Sequence, residues 1–265
     1  MFDLHVVKWA VFPTTTEEQV PARIAATGAD GLGYLSWRET DVDRLERRCR
    51  QAGIDWISTG AGGAAGNTGH RDSSAMTDPS AHDAAVQAIT DTCETVGEYV
   101  ENVVITVGPT QLEYEEATQF RAIVEVLRAA ADAANEANVT LQVEPLNTRV
   151  DHPGYFLSRI DRGVELVEAV DHPNVRLLFD LYHQQITEGD LLSRIETFQE
   201  YIGMYHLADV PGRHEPGTGE LNWESIFRGI AQTGFDGSVG LEYVPKADPD
   251  GSVEAVLELR DRIDD

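Results

Sequence analysis

Three carboxylates and one imidazole stand at or near the ends of four successive β-rich runs in this 265-residue chain. They are Glu144 in Val139–Glu144, Asp180 in Val175–Asp180, His206 in Gly203–Ala208 and Glu242 in Ser238–Tyr243. Taken singly, each reads as a polar residue capping a loop. Four at equivalent heights on consecutive strands point to a shared site. Carboxylate oxygens favour one hard divalent ion, Mg2+ or Mn2+, and a single imidazole nitrogen leaves Co2+ or Zn2+ open. Without a cation the three acids would repel one another at close range, and some would take up a proton.

Such a set suits proton transfer beside a carbonyl. Removing that proton leaves negative charge on oxygen, which a cation at the carbonyl and its neighbouring hydroxyl stabilises as a cis-enediolate. Glu144 and Glu242 are the candidate acid/base pair: one takes the proton and the other returns it. Return to the adjacent carbon is isomerisation, and return to the opposite face of the same carbon is epimerisation. A second group is cationic. His183 follows Asp180 by three residues, and Arg213-His214 follows Asp209-Val210-Pro211-Gly212. In so acidic a chain, His183, Arg213 and His214 are expected to orient a substrate carboxylate or hydroxyl. The alternative for Arg213 is a surface pair with Glu215, worth little.

The elements that must carry these residues alternate between short β-rich runs and longer helical stripes, the pattern of an α/β fold with parallel strands. Earlier runs lie near Asp3–Lys8, Gly31–Leu35, Trp56–Thr59 and Asn102–Val107, which makes eight strand candidates. Helical stripes run through Ala117, Phe120, Val124, Leu127, Ala131 and Ala134, and through Leu157, Ile160, Val164 and Val167. Eight such units predict a single (β/α)8 TIM barrel over residues 1–265, with its active site at the C-terminal face of the strands. No Gly-rich phosphate turn follows the first strand, which argues against a doubly wound sheet. Strand parity supports closure: Val139, Leu141 and Val143 make one face, and Thr140, Gln142 and Glu144 the axial one. The Gly-, Ala- and Ser-rich segment Gly60–Asp78 is expected to be a surface loop on the catalytic face, with a lid as the alternative. His70, with Arg71, is its candidate substrate contact.

Composition narrows the partners. The 46 acidic and 20 basic residues give a net charge of −26, which repels nucleic-acid backbones and anionic membranes. Because the acidity is spread along the chain, a halophilic source is expected, with carboxylates holding water in brine. The partner is expected to be a small hydroxy-keto molecule. A homo-oligomer stays open, since no sequence feature defines an interface. The opening Met1-Phe2-Asp3-Leu4-His5 lacks a basic-then-apolar signal pattern, so a cytoplasmic location is expected. Cys49 and Cys93 fall on helical apolar stripes and are expected to be buried, unpaired small hydrophobes.

Several segments together resemble hydroxypyruvate isomerases of the xylose-isomerase-like barrel superfamily, which also holds ketose 3-epimerases and endonuclease IV. They are Glu144-Pro145-Leu146-Asn147, His152-Pro153-Gly154-Tyr155-Phe156-Leu157, Asp180-Leu181-Tyr182-His183-Gln184-Gln185, Glu188-Gly189-Asp190, the run from His206 to Glu220, and Gly234-Phe235-Asp236-Gly237 with Gly240-Leu241-Glu242-Tyr243. The resemblance is dense from Glu144 to Pro245. It implies that Glu144, Asp180, His206 and Glu242 are the metal ligands and that the two glutamates are the acid/base pair. It further implies that His183 and Arg213 hold substrate oxygens. The implied reaction is isomerisation of the hydroxypyruvate/tartronate semialdehyde type, with a ketose or ketose-phosphate 3-epimerase as the alternative on the same site.

Overall fold

Hydrophobic runs of three to six residues are too short for helices and pair edge to edge instead. The computed structural model describes residues 2–62 and 75–263. Its strands are β1 (Asp3–Val7), β2 (Gly31–Gly33), β3 (Asp55–Gly60), β4 (Asn102–Ile105), β5 (Thr140–Val143), β6 (Val175–Asp180), β7 (Ile202–Leu207) and β8 (Ser238–Leu241). Each pairs in parallel with the next, and β1 pairs with β8, so the sheet closes as a barrel. Helices follow the strands and cover the outside. All eight strand expectations are met, and His70 and Arg71 lie outside the described residues.

The side-chain period of two sorts each strand into an outer and an axial face. Val139, Leu141 and Val143 join the large cluster shared with the helices, as parity predicts. The other parity fills the axis. Val104, Leu178 and Met204 form a separate apolar cluster there. One step towards the N-terminal end, the Gln142 amide donates to Asn102 Oδ1 at 2.7 Å. One step the other way come the polar residues of the site.

The helix Ile160–Val170 buries Ile160, Val164 and Val167 as its stripe requires, and Leu157 is buried just ahead of it. In the helix Glu116–Glu136 the buried stripe starts a turn later than the sequence reading. Ala117 is exposed, and Gln119 is buried in its stead because its amide donates to the carbonyls of Gln111 and Tyr114. Cys49 and Cys93 are buried and free. Burial pushes their thiols up to about 12 and about 11, so they act as inert packing groups.

Gly240 shows how the axial face is kept open. The β7–β8 register sets it opposite His206. A Cβ there would lie 2.5 Å from His206 Cδ2 and 2.9 Å from His5 Nε2. Both rings are fully buried and have nowhere to retreat. Gly240→Ala is therefore expected to cost about 1–3 kcal/mol through overpacking and to displace the His206 ring. Urea unfolding checks the first, and an unchanged midpoint would contradict it.

Candidate active site

Backbone pairing delivers the four ligand candidates to one level. Asp180 pairs with His206 across β6 and β7. Glu144 and Glu242 each stand one residue beyond their strands, yet both are still pinned by a ladder-type bond to the preceding strand. Glu144 N donates to Ile105 O at 3.0 Å, and Glu242 N donates to Leu207 O at 3.1 Å. One potential ligand atom from each of the four lies within 4.8 Å of the others. All are buried, Glu144 at 6% and Glu242 at 5% exposure and the other two at 1% or less.

Their environments differ. Glu242 accepts from the Trp9 indole at 3.0 Å, pairs with the Arg213 guanidinium, and lies 3.4 Å from His206 Nδ1. Burial opposes its ionisation, but Arg213 and His206 together hold its carboxyl far below the usual range. Glu144 has weaker support: its Oε1 lies 3.9 Å from His206 Nδ1 and makes no hydrogen bond. Burial, and next the charge of Glu242, push it up to about 8. Burial also raises Asp180, although Arg213 pulls the other way from 3.8 Å. For His206, burial disfavours the charged ring, yet Glu242, Glu144 and Asp180 raise its pKa on balance. Without an ion, Arg213 and a proton on Glu144 offset much of the carboxylate charge, and the acids around His206 favour its charged ring.

That observation tests the fit of a divalent cation. Glu144 Oε1 and both His206 ring nitrogens are buried without hydrogen-bond partners. Oxygen donors with one imidazole suit Mg2+ or Mn2+, and also Co2+ or Zn2+. The residues fit such an ion. Binding it would displace the proton held on Glu144. Apparent affinity is therefore expected to fall by roughly tenfold per pH unit below about pH 8, with about one proton released from Glu144 at pH 7. Titration calorimetry in buffers of different ionisation enthalpy reads this, and a pH-independent affinity would refute it.

A cavity of about 510 Å3 opens above the cluster, bordered by Glu144, Glu242, His183, Arg213, Trp9 and His152 among others. Asp180 caps the helix Leu181–Thr187 by accepting from His183 N at 3.0 Å, which turns the His183 ring inward. That ring is fully buried, and burial followed by Arg213 keeps it neutral. Its Nε2 makes no hydrogen bond, and Asn147 lies against its Nδ1.

Arg213 does not pair with Glu215; it reaches Glu242 and Asp180 instead. The cause is a loop organised by Asp209. This buried carboxylate accepts from the backbone of Val210, Gly217, Gly219 and Leu221, at 2.9 to 3.2 Å. Gly219 fits only without a side chain, since its Cβ would lie 2.1 Å from Val210 O. His214 departs from expectation. Its Nδ1 is turned to Val244 O at 2.7 Å, because the loop alternates and only Arg213 faces the cavity.

Sequence reasoning missed four contributors: Trp9, Asn147, Asp209, and His5 below the cluster. His5 Nε2 lies 3.3 Å from Ser58 Oγ, and burial lowers its pKa to about 3. A buried histidine on the axial parity of β1 was the available signal for His5. Glycines at 217 and 219 were the signal for Asp209. Nothing local marked Trp9, which meets Glu242 across 233 residues.

The chain belongs to the xylose isomerase-like TIM barrel family, whose model matches residues 21–262. It is 44% identical over 124 residues to a 2-oxo-tetronate isomerase of Cupriavidus necator, 47% of each chain. It is 34% identical over 140 residues to hydroxypyruvate isomerase of Escherichia coli, 53% of this chain and 54% of that one. The matches thus span about half the length of these curated relatives. Among solved structures, a family 2 AP endonuclease from Brucella melitensis superposes with a TM-score of 0.89 at 26% identity, covering 97% of this chain and 99% of that one. D-psicose 3-epimerase from Clostridium cellulolyticum H10 shares the fold, with a TM-score of 0.82 at 21% identity over 99% of both chains. Among the described residues, no helix is long and apolar enough to cross a membrane.

Proposed function

We propose that this chain is a divalent-metal-dependent isomerase of a small hydroxy-carbonyl compound, of the hydroxypyruvate/tartronate semialdehyde type. The observation that carries the reading is the convergence of Glu144 and Glu242 on one buried cluster at the floor of a cavity that Arg213 and His183 also border. Relatives named for such isomerases support the substrate class.

Glu144, Asp180, His206 and Glu242 would hold the ion. When bound, it would supply positive charge to the substrate oxygens on which negative charge develops. The chain's own part is proton movement and orientation. One glutamate removes the proton from the carbon beside the carbonyl, leaving an enediolate. The other, in its protonated form, delivers a proton to the neighbouring carbon, while the hydroxyl proton on the carbon that becomes the new carbonyl passes to the former carbonyl oxygen. Arg213, fixed by its loop, and His183, fixed by Asn147, present hydrogen-bond donors to the remaining oxygens. The net charge of −26 supports a small molecule over a polynucleotide as partner.

The test is proton NMR in D2O with Mg2+ on a panel of small keto acids and ketoses. Deuterium entering beside the carbonyl, with the carbonyl moving to the adjacent carbon, is the expected result. Inverted configuration with the carbonyl in place would assign a ketose 3-epimerase instead. No exchange into any member of the panel would refute both.

A further inference from the structure

The contacts of Asn147 settle a question that the carboxylates leave open, namely which nitrogen of His183 carries its proton. His183 Nδ1 faces two groups from Asn147. The backbone N–H lies 3.3 Å away and the side-chain Nδ2 2.7 Å away. A backbone N–H can only donate, so Nδ1 must accept. The amide orientation is fixed independently. Asn147 Oδ1 accepts from Val150 N at 2.9 Å and from Asp151 N at 3.2 Å, so it cannot also face the ring. The two hydrogens of Nδ2 are then both used, one on His183 and the other on Asp151 Oδ2 at 2.7 Å. Asn147 itself is fully buried.

With Nδ1 accepting, the proton of a neutral imidazole lies on Nε2. That atom is buried, has no hydrogen-bond partner, and sits 3.7 Å from Asp180 Oδ2, beyond hydrogen-bond reach. His183 borders the cavity. We propose that Asn147 is a positioning residue that holds His183 as the Nε2–H tautomer, making it an obligate donor to a substrate oxygen. The sequence carries the device as Asn147 at the close of Glu144-Pro145-Leu146-Asn147, three residues after a proposed ligand. The loop bonds of its own Oδ1 make it rigid. The substrate-facing half rests on the isomerase reading, whereas the tautomer does not.

The experiment swaps acid and amide. In Asn147→Asp a charged acceptor faces Nδ1 and draws the proton there. Because that acid would also repel Asp151, the paired variant N147D/D151N, with unchanged net charge, guards against misfolding. Long-range proton–nitrogen correlation spectra of 15N-labelled protein report the tautomer without substrate, with His183→Gln identifying the signal. The expected wild-type pattern has protonated Nε2 and bare Nδ1, and the swapped variant gains a proton on Nδ1. A proton on Nδ1 in the wild type overturns the proposal, whatever reaction the protein performs. Where turnover is measured, N147D/D151N is expected to lose about 100-fold in kcat/KM, as for loss of one aligned donor. In the His183→Gln background the same swap should cost less than about threefold. A full loss there would show that Asn147 acts by another route and would overturn the positioning role.

Discussion

Glu144→Gln and Glu242→Gln are each expected to lower solvent exchange beside the substrate carbonyl by about 10³-fold or more, since an amide keeps the shape but takes no proton. The two should fail differently. Glu242 is bound by Trp9, Arg213 and His206, so its replacement also leaves Arg213 short of a buried partner. Breaking a buried pair from one side costs about 3–5 kcal/mol, and Glu242→Gln should unfold measurably earlier. Glu144 has an oxygen without a hydrogen bond and is held partly protonated near neutrality. Its amide should leave stability unchanged or slightly raised while turnover is lost. Exchange NMR and urea unfolding on both variants check this split. Wild-type exchange in either would remove that glutamate from the proton path.

Stripping divalent ions with a chelator is expected to abolish turnover, and Mg2+ or Mn2+ should restore it. The reason lies in the charges of the chain. Without an ion, Glu144 is held protonated by burial and by the charge of Glu242, and the protonated Glu144 is no longer a base. The ion should also stabilise the fold, a readout independent of catalysis. At 100 times its dissociation constant the gain is about 2.7 kcal/mol. For a barrel of this size that raises Tm by roughly 5–10 °C. A Tm unmoved by saturating Mg2+, Mn2+, Co2+ or Zn2+ would contradict the fit of the site.

The barrel was legible because strand period and strand spacing are local signals. Val175–Asp180 reads from sequence with the bounds it has in the fold. The four ligand candidates were legible for the same reason, as equal strand heights translate directly into convergence. The supporting shell was not. Trp9 reaches Glu242 only because β1 closes against β8, a contact that no local pattern encodes. His214 was misjudged because the sequence places it beside Arg213. The Asp209-centred loop turns one inward and the other to Val244 O. Gln119 likewise displaced an apolar stripe by satisfying two loop carbonyls.

An equilibrium titration of chelator-stripped protein with Mn2+, counting free ion by electron paramagnetic resonance, asks whether these side chains share a cation. One ion bound per chain is expected. Asp180→Asn should weaken it by more than the roughly 10–100-fold that loss of an outer partner costs. No saturable ion, or a stoichiometry and affinity indifferent to Asp180, would contradict the account.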